Sequence, residues 1–139
     1  MVVAELKRRQ AVDVTFFKKD RQTDLRASNA RRTRTVTIRV NTKTSGNWHA
    51  NLKVGASRGL ASSYHDFWVL VARGPDGRRR PKSFVMPDCW IREHIDPHHD
   101  WWPSIHGGQR PVNPASPHVA IEPAAVAEWQ DRWDLLGIF

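Results

Sequence analysis

The segment from residue 94 to residue 106 contains side chains that could bind a metal ion. These are His94, His98, His99, Asp100 and His106. Imidazole and carboxylate are donors that Zn²⁺ and similar ions prefer. However, HEXXH is absent and one cysteine is too few for a zinc finger, so the spacing matches no metal motif. The sequence therefore favours surface and packing histidines over a metal site.

The single cysteine and the absence of short catalytic motifs narrow the possible activities. Cys89 lies beside Trp90 in MPDCWI, and we predict a half-buried structural thiol, because a reactive thiol needs an exposed, electropositive setting. One cysteine also excludes an internal disulfide and fits a reducing compartment. GxxxxGK[ST], GxGxxG and GxSxG are all absent, so the sequence indicates neither a nucleotide-phosphate loop nor a serine nucleophile elbow.

The charge of the chain favours a polyanionic partner. The net charge is +8 over 139 residues, and such a charge attracts nucleic acid through steering and counterion release. Residues 1–43 carry twelve Lys and Arg against four Asp and Glu, whereas the remainder carries ten against ten. This excess predicts a binding face in the first third of the chain. The alternative is an arginine-rich surface that only keeps the protein in solution.

Two arginine runs lie in predicted hairpin turns. They are Arg31, Arg32 and Arg34 in NARRTR, and Arg78, Arg79 and Arg80 in GPDGRRR. Each run could be a solvated tip. We favour phosphate contacts for the first run, because it is expected to neighbour Asp24 and Lys43.

Residue alternation predicts the elements of the first half of the chain. AELKRRQ has the spacing of the end of an amphipathic helix, and strands are predicted for VDVTFF, TDLRAS, TVTIRVNTKT and WHANLKV. The clearest strand is TVTIRVNTKT. It places Val36, Ile38 and Val40 on one face, with Thr35, Thr37, Arg39 and Asn41 on the other.

The second half reads as a buried hairpin followed by helices. DFWVLVA is a continuous apolar run, which predicts a strand buried on both faces, and KSFVMP pairs back to it across GPDGRRR. PDCWIREHI predicts a helix that starts at Pro87 and Asp88, and HVAI predicts a short strand. The end of the chain predicts one helix from Pro123, with an apolar stripe formed by Val126, Trp129, Trp133 and Leu136.

Two segments without periodicity are predicted to be loops near whatever the protein binds. They are residues 56–63, which are small and polar, and residues 96–117, which are rich in Pro, Gly, His and Trp. We assign Trp68, Trp90, Trp129 and Trp133 to the core. Trp101 and Trp102 lie in the second loop, where an exposed ring could stack on a base.

Length and hydropathy predict one domain in the cytoplasm. The chain is close to the commonest domain size, and no linker divides it. No apolar run approaches the roughly 20 residues that span a bilayer, and MVVAELKRRQ is too short and too charged for a signal peptide. We therefore expect no membrane partner.

The sequence resembles a known nuclease family. From Thr23 to Trp48, TDLRASNARRTRTVTIRVNTKTSGNW is similar to small bacterial PD-(D/E)XK nuclease-like proteins, and FWVLV, SFVMPDCWIREHI, IHGGQRPVN and WQDRWDLLG continue the likeness. The predicted order is also that of the family core: a helix, a strand hairpin with an acidic residue on one strand and a charged position on the next, and then a crossover to further strands. The resemblance implies a single restriction-endonuclease-like α/β domain over residues 1–139, with a mixed central β-sheet flanked by helices.

The resemblance also implies where a catalytic site would lie. In this family, an Asp on the second strand is followed on the third strand by an acidic or Gln residue, an apolar residue and a Lys. Two carboxylates hold Mg²⁺, which activates a bound water, while the Lys assists the nucleophile. Asp24 matches the first position. The resemblance therefore makes Asp24 a metal ligand and Mg²⁺ the cofactor if the chain is active, with no cofactor otherwise.

The chain departs from the family pattern on the third strand. Arg39 and Asn41 stand at the acidic and Lys positions, and a cation at Arg39 would repel a metal ion. Lys43 lies two residues after Asn41 on the same strand face and could take the lysine role. No nearby carboxylate replaces the ligand missing at Arg39, so the implied site is one acid short.

The amino-terminal helix departs from the family as well. The resemblance implies a longer first helix with a Glu near its start that faces the site. Only the last turns of such a helix are expected here. Glu5 is therefore matched to a later, structural Glu of that helix.

Three functions remain open at this point. The favoured one is nucleic-acid binding, DNA before RNA, through a face carrying Arg31, Arg32, Arg34, Arg39, Asn41 and Lys43. The second is Mg²⁺-dependent endonuclease activity with Asp24 and Lys43 as catalytic residues. The third is a nuclease-derived protein-interaction module that docks through its Trp and His segment. A homodimer is an open alternative for the oligomeric state.

Overall fold

A computed structural model describes residues 1–19, 22–51, 66–94 and 118–139. The elements in these ranges are α1 (Val2–Arg8), β1 (Val12–Lys19), β2 (Gln22–Ser28), β3 (Thr35–Lys43), β4 (Trp48–Asn51), β5 (Phe67–Ala72), β6 (Lys82–Pro87), α2 (Asp88–His94) and β7 (His118–Ile121). Two 3₁₀ helices follow, Pro123–Trp129 and Trp133–Leu136. The helix start at Asp88 and the strands predicted from alternation are confirmed, with WHANLKV confirmed from Trp48 to Asn51 and the rest of that prediction outside the described residues.

Five strands form one mixed sheet in the order β1-β2-β3-β5-β6. The pairs β1–β2, β2–β3 and β5–β6 are antiparallel, whereas β3 and β5 are parallel. A parallel pair needs a crossover connection, and here the chain passes through β4, which pairs with β7 in a separate antiparallel ribbon. The prediction of a mixed sheet accompanied by helices is confirmed.

One face of the sheet is covered by α1 and the second 3₁₀ helix. Side chains alternate along a strand, so Val36 and Ile38 of β3 share this face with Val69 and Val71 of β5. Leu6 of α1 packs into the same cluster, together with Trp133, Leu136 and Ile138. We call this side of the sheet the first face.

The opposite side, the second face, is divided into two halves. Its β5–β6 half is apolar and consists of Trp68, Leu70, Phe84 and Met86, which pack against Trp48, Ile91, Ile121 and Val126. Alternation places polar residues on the β2–β3 half, including Asp24 and Arg39, which are both buried. The strand β5 is therefore buried on both faces, as predicted, and the polar half lies beside it.

The predicted carboxy-terminal helix is wrong. The chain breaks at Gln130, which is extended with ψ 129° and bridges to Phe84 of β6. The backbone N–H of Asp131 then donates to the carbonyl of Ser83 at 2.8 Å. Val126 packs on the second face and Trp133 on the first. A single straight helix could not reach both faces, so the helix ends at Gln130 and the chain passes the edge of β6 at Gln130 and Asp131.

The prediction for Cys89 is also wrong, because its side chain is exposed. The short helix α2 turns Asp88 and Ile91 inward and leaves Cys89 on the outer side. The tryptophan assignments are confirmed: Trp68 and Trp133 are 1% and 2% exposed. Trp90 and Trp129 are partly buried and meet edge to face at 5.4 Å.

Glu5 contributes to stability through two arginines of its own helix. Its carboxylate lies 2.6 Å from Arg8 and 2.7 Å from Arg9. The hydrogen bond from Arg8 is the largest influence on the Glu5 carboxyl and lowers its pKa from 4.5 to about 2. These contacts fit the structural role expected for this residue.

The lowered pKa of Glu5 predicts a pH-dependent stability. A depressed folded-state pKa contributes stability that is present above about pH 4.5 and is lost as the pH falls towards 2. We expect Glu5→Gln to be less stable than wild type at pH 6, with the difference shrinking as the pH falls through that window. Urea unfolding at several pH values measures it. A difference that stays constant down to pH 2 would contradict the prediction.

Candidate functional site

The candidate site is centred on an ion pair between β2 and β3. Asp24 and Arg39 are direct partners in the register of the two strands. The Arg39 Nε donates to the Asp24 Oδ1 at 3.3 Å. The side chains of Arg39 and Asp24 are 9% and 7% exposed, so this is a buried pair of opposite charges.

Further contacts connect the ion pair to Trp68 of β5 and, through it, to Asp88 and Arg92 of α2. Arg39 is the register partner of Trp68, and its guanidinium carbon lies 5.3 Å from the centroid of the Trp68 ring. The Trp68 Nε1 donates to the Asp88 Oδ1 at 2.6 Å, and the Arg92 Nε donates to the Asp88 Oδ2 at 2.6 Å. We call these five residues the buried polar row: Asp24, Arg39, Trp68, Asp88 and Arg92.

The buried polar row balances charge inside the protein. Removing a charge from water is costly unless the charge is paired and hydrogen-bonded. In this row, Asp24 is paired with Arg39, and Asp88 is paired with Arg92 and also receives the indole N–H of Trp68. The arrangement is that of a structural network in which each charged group meets an opposite charge.

Asp66 fixes the backbone beside this row. Its Oδ2 accepts from the backbone N–H of Thr37 at 2.8 Å, and its own carbonyl accepts from the backbone N–H of Asp88 at 3.0 Å. Sequence reasoning did not single out Asp66, Trp68 or Arg92 as site residues. No motif links them, and only the pairing of β3, β5 and β6 brings them together.

The residues around Asp24 do not fit a Mg²⁺ ion. A divalent cation needs several oxygen ligands, whereas Asp24 faces the cationic guanidinium of Arg39. Within the described ranges there is no group of three or more His, Cys, Asp or Glu side chains arranged to hold a metal. The Arg39 guanidinium supplies the positive charge that a metal ion would bring to Asp24.

Lys43 is not brought to Asp24. It lies four residues beyond Arg39 on β3, which corresponds to roughly 13 Å along the strand. Its ammonium donates to the carbonyl of Gly46 and lies 4.4 Å from the centroid of the Trp48 ring. Asn41 Nδ2 donates to the carbonyl of His49 at 2.9 Å. Both side chains therefore face the β3–β4 connection.

The first arginine run lies at the other end of β3. The turn is held by Asn29, whose Oδ1 accepts from the backbone N–H groups of Thr33 and Arg34 at 2.9 and 3.0 Å. Arg34 and Lys43 are nine residues apart, or roughly 30 Å along an extended strand. Asp24 lies four residues from the turn end of β2, roughly 13 Å away. The prediction that this run neighbours Asp24 and Lys43 is wrong.

Among the residues of 1–43 whose side chains the structure describes, the basic excess does not form a single face. Several of its arginines pair with carboxylates: Arg8 and Arg9 with Glu5, Arg32 with Asp13, and Arg39 with Asp24. Arg34 packs its guanidinium against Gly137. Arg31 is exposed at the turn. These basic residues are close together in the sequence, but in the described structure they lie in different places and several are paired with carboxylates.

Other sequence predictions fall outside the described residues or side chains. They concern the loops at 56–63 and 96–117, the rings of Trp101 and Trp102, and the metal reading of His94, His98, His99, Asp100 and His106. They stay predictions.

Comparison of the chain with protein-family models, with curated proteins and with solved structures finds no match. In the part of the chain that the structure describes, no helix has both the length and the apolarity to cross a membrane.

Two buried tryptophans allow a matched test of the buried polar row. Trp68 and Trp48 are each 1% exposed. The Trp68 indole donates to the Asp88 carboxylate, whereas the Trp48 indole donates to the neutral carbonyl of Val71 at 3.0 Å. Hydrogen bonds to charged groups contribute about 1.5–3 kcal/mol, against about 1 kcal/mol for neutral partners.

We therefore expect Trp68→Phe to lower the free energy of unfolding more than Trp48→Phe, by roughly 1 kcal/mol. Both variants lose the same ring area, so the cavity contribution largely cancels in the comparison. Urea unfolding of the two variants measures the difference. Equal losses of unfolding free energy would show that the hydrogen bond from the indole to the Asp88 carboxylate is no stronger than one to a neutral carbonyl.

Proposed function

We propose that this chain is a nucleic-acid-binding protein on a PD-(D/E)XK nuclease-like fold whose catalytic motif is degraded. Binding is carried by contacts to phosphates, with DNA favoured over RNA. The buried Asp24–Arg39 ion pair is the observation that carries the degraded-site part of the proposal.

The order and direction of the strands support the proposed fold. A helix, α1, precedes the β1–β2 hairpin, β3 follows antiparallel to β2, and the chain then crosses over to β5, which is parallel to β3. This is the order that the sequence resemblance implies. Asp24 lies on the second strand of that order, at the position expected for the first acidic residue.

The chemistry of the ion pair supports loss of catalysis. Metal-assisted hydrolysis needs a cation held by carboxylates and a water activated by that cation. At Asp24 the neighbouring group is the guanidinium of Arg39, and both side chains are buried. An arginine cannot activate a water as a metal does, because its nitrogens are already donors and stay protonated. Cleavage by Asp24 and Lys43 is therefore the weaker alternative.

The charge of the whole chain supports binding. With a net charge of +8, the protein attracts a polyanion at long range and gains affinity by releasing counterions from it. Such binding carries no sequence code, since phosphates are the same at every base. We expect affinity that depends strongly on salt and weakly on sequence.

The proposal is tested with labelled duplex DNA, single-stranded DNA and RNA, each with Mg²⁺, Mn²⁺ or EDTA. We expect a mobility shift that weakens steeply from 50 to 200 mM salt and no cleavage under any condition. Metal-dependent cleavage that is lost in Asp24→Ala would replace the proposal with an active endonuclease. The absence of both shift and cleavage would overturn the proposal and favour a protein-interaction module.

A further inference from the structure

We propose that the nucleic acid is bound at one end of the sheet, by the β5–β6 turn and the adjacent end of β3. This inference rests on the proposed function and locates its binding surface. We call the surface the basic hairpin end and define it by Lys43, Arg73, Arg78, Arg79, Arg80 and Lys82.

Strand register brings Lys43, Arg73 and Lys82 together from separate parts of the sequence, and the turn that carries the three arginines begins directly after Arg73. Lys43 is the partner of Ala72 on β5, and Ala72 is the partner of Lys82 on β6. Adjacent strands are about 4.8 Å apart, so the two lysines flank Ala72 within roughly 10 Å of each other. The backbone N–H of Arg73 donates to the carbonyl of Lys43 at 2.8 Å. The three strands therefore end side by side.

The turn displays its arginines to solvent. The backbone N–H of Gly77 donates to the carbonyl of Gly74 at 3.1 Å, and Gly77 has a φ of 67°, which favours glycine. Asp76 accepts from the backbone N–H of Arg78 at 3.1 Å. Arg78, Arg79 and Arg80 are all exposed.

These arginines are available for phosphates, unlike several others. Asp76 is the sole acidic residue among residues 73–82, which carry five basic residues. Its carboxylate accepts a hydrogen bond from the turn backbone. Within the described ranges no carboxylate forms an ion pair with Arg78, Arg79 or Arg80. Arg8, Arg32 and Arg132 are also exposed, but each is bound to a carboxylate. A phosphate at the turn therefore does not have to displace an existing partner.

A cleft with a mixed polar and apolar lining, which includes the Trp48 ring, adjoins Arg73 on the side of β3. It has a volume of about 440 Å³, and its lining includes Asn41, Lys43, Ser45, Asn47, His49 and Arg73. Hydroxyl, amide and ammonium groups are the ones that contact phosphate and sugar. Lys43 contacts the Trp48 ring and the Gly46 carbonyl, so its charge is positioned at the cleft.

The same surface does not suit a lipid bilayer. Segments that bind membrane surfaces combine basic residues with exposed apolar side chains that enter the interface. In the described part of the chain, the large exposed hydrophobic residues are Met1, Phe16 and Phe139. None of them belongs to the basic hairpin end, which therefore favours nucleic acid as the polyanion.

The test compares two variants with the same loss of charge. One carries Arg78→Ser, Arg79→Ser and Arg80→Ser, and the other carries Arg31→Ser, Arg32→Ser and Arg34→Ser at the opposite end of β3. Binding of a labelled 20-base-pair duplex is measured by fluorescence anisotropy from 50 to 200 mM salt. Thermal melting of both variants checks that they are folded.

We expect the first variant to bind on the order of 100-fold more weakly than wild type at 150 mM salt. Its slope of log K against log salt should be smaller by about 2.7, since each lost phosphate contact removes about 0.9. The second variant should lose much less affinity for the duplex. Phosphatidylserine vesicles are the membrane control, and we expect no binding to them that exceeds duplex binding.

The outcomes separate the two proposals. If wild type binds duplex DNA but both variants weaken equally, or the second weakens more, the basic hairpin end is not the binding surface, while the proposed function stands. If wild type binds neither duplex DNA, single-stranded DNA nor RNA, both proposals fall. Tight binding to vesicles alone would assign the surface to a membrane and overturn the inference.

Discussion

Replacement of Arg39 by methionine is expected to lower the free energy of unfolding by about 3–5 kcal/mol, because it breaks a buried ion pair by removing the Arg39 cation from the Asp24 carboxylate. The change also removes the cation from the face of Trp68. Methionine keeps most of the aliphatic volume, so the loss reports mainly on charge. Urea unfolding at pH 7 measures it.

Two further variants make the experiment specific. In the double variant Asp24→Leu with Arg39→Met, both charges are gone, and we expect much of the lost stability to return, since buried ion pairs are often replaceable by apolar residues. Arg132→Met is the matched exposed control, because Arg132 pairs with Asp134 at the surface. It should change stability little. A small effect of Arg39→Met would mean that the ion pair is not structurally important.

Arg39→Glu is expected to create a metal-responsive protein. The change places a second carboxylate opposite Asp24 across the β2–β3 pair. Two buried like charges repel, so the variant should be at least as unstable as Arg39→Met without metal. If the site is a degraded nuclease site, Mg²⁺ or Mn²⁺ should then restore stability. A ligand present at 100 times its dissociation constant adds about 2.7 kcal/mol.

The metal response separates a former metal site from a simple salt bridge. Arg39→Gln is the control, because it removes the cation without adding a carboxylate. We expect melting temperatures of Arg39→Glu to rise with millimolar Mn²⁺, while those of wild type and Arg39→Gln stay unchanged. A variant Arg39→Glu that does not respond to divalent metal would contradict a nuclease ancestry of this position.

Local sequence patterns were sufficient for much of the fold. Alternation in TVTIRVNTKT correctly placed Val36 and Ile38 on one face, which the structure buries in the core, and Arg39 on the other. The unbroken apolar run FWVLVA predicted a strand buried on both sides. Asp88 marked a helix start. These features depend on residue periodicity and capping, which act over a few neighbours along the chain.

Other features depended on contacts between distant residues. The carboxy-terminal segment has helical periodicity, yet Gln130 and Asp131 bond to β6 and break it into two 3₁₀ helices. Cys89 was placed wrongly for a similar reason, since the docking of α2 decides which side of a short helix is inside.

The sequence by itself determined the strands and their alternating faces, and it placed Asp24, Arg39 and Lys43 on the central strands. Only the tertiary structure decided which side chains those residues contact. Strand register pairs Asp24 with Arg39, separates both from Lys43, and places Lys43 beside Ala72 and Lys82 at the β5–β6 end of the sheet. Register is a long-range property set by packing of the whole sheet, so it cannot be read from local spacing.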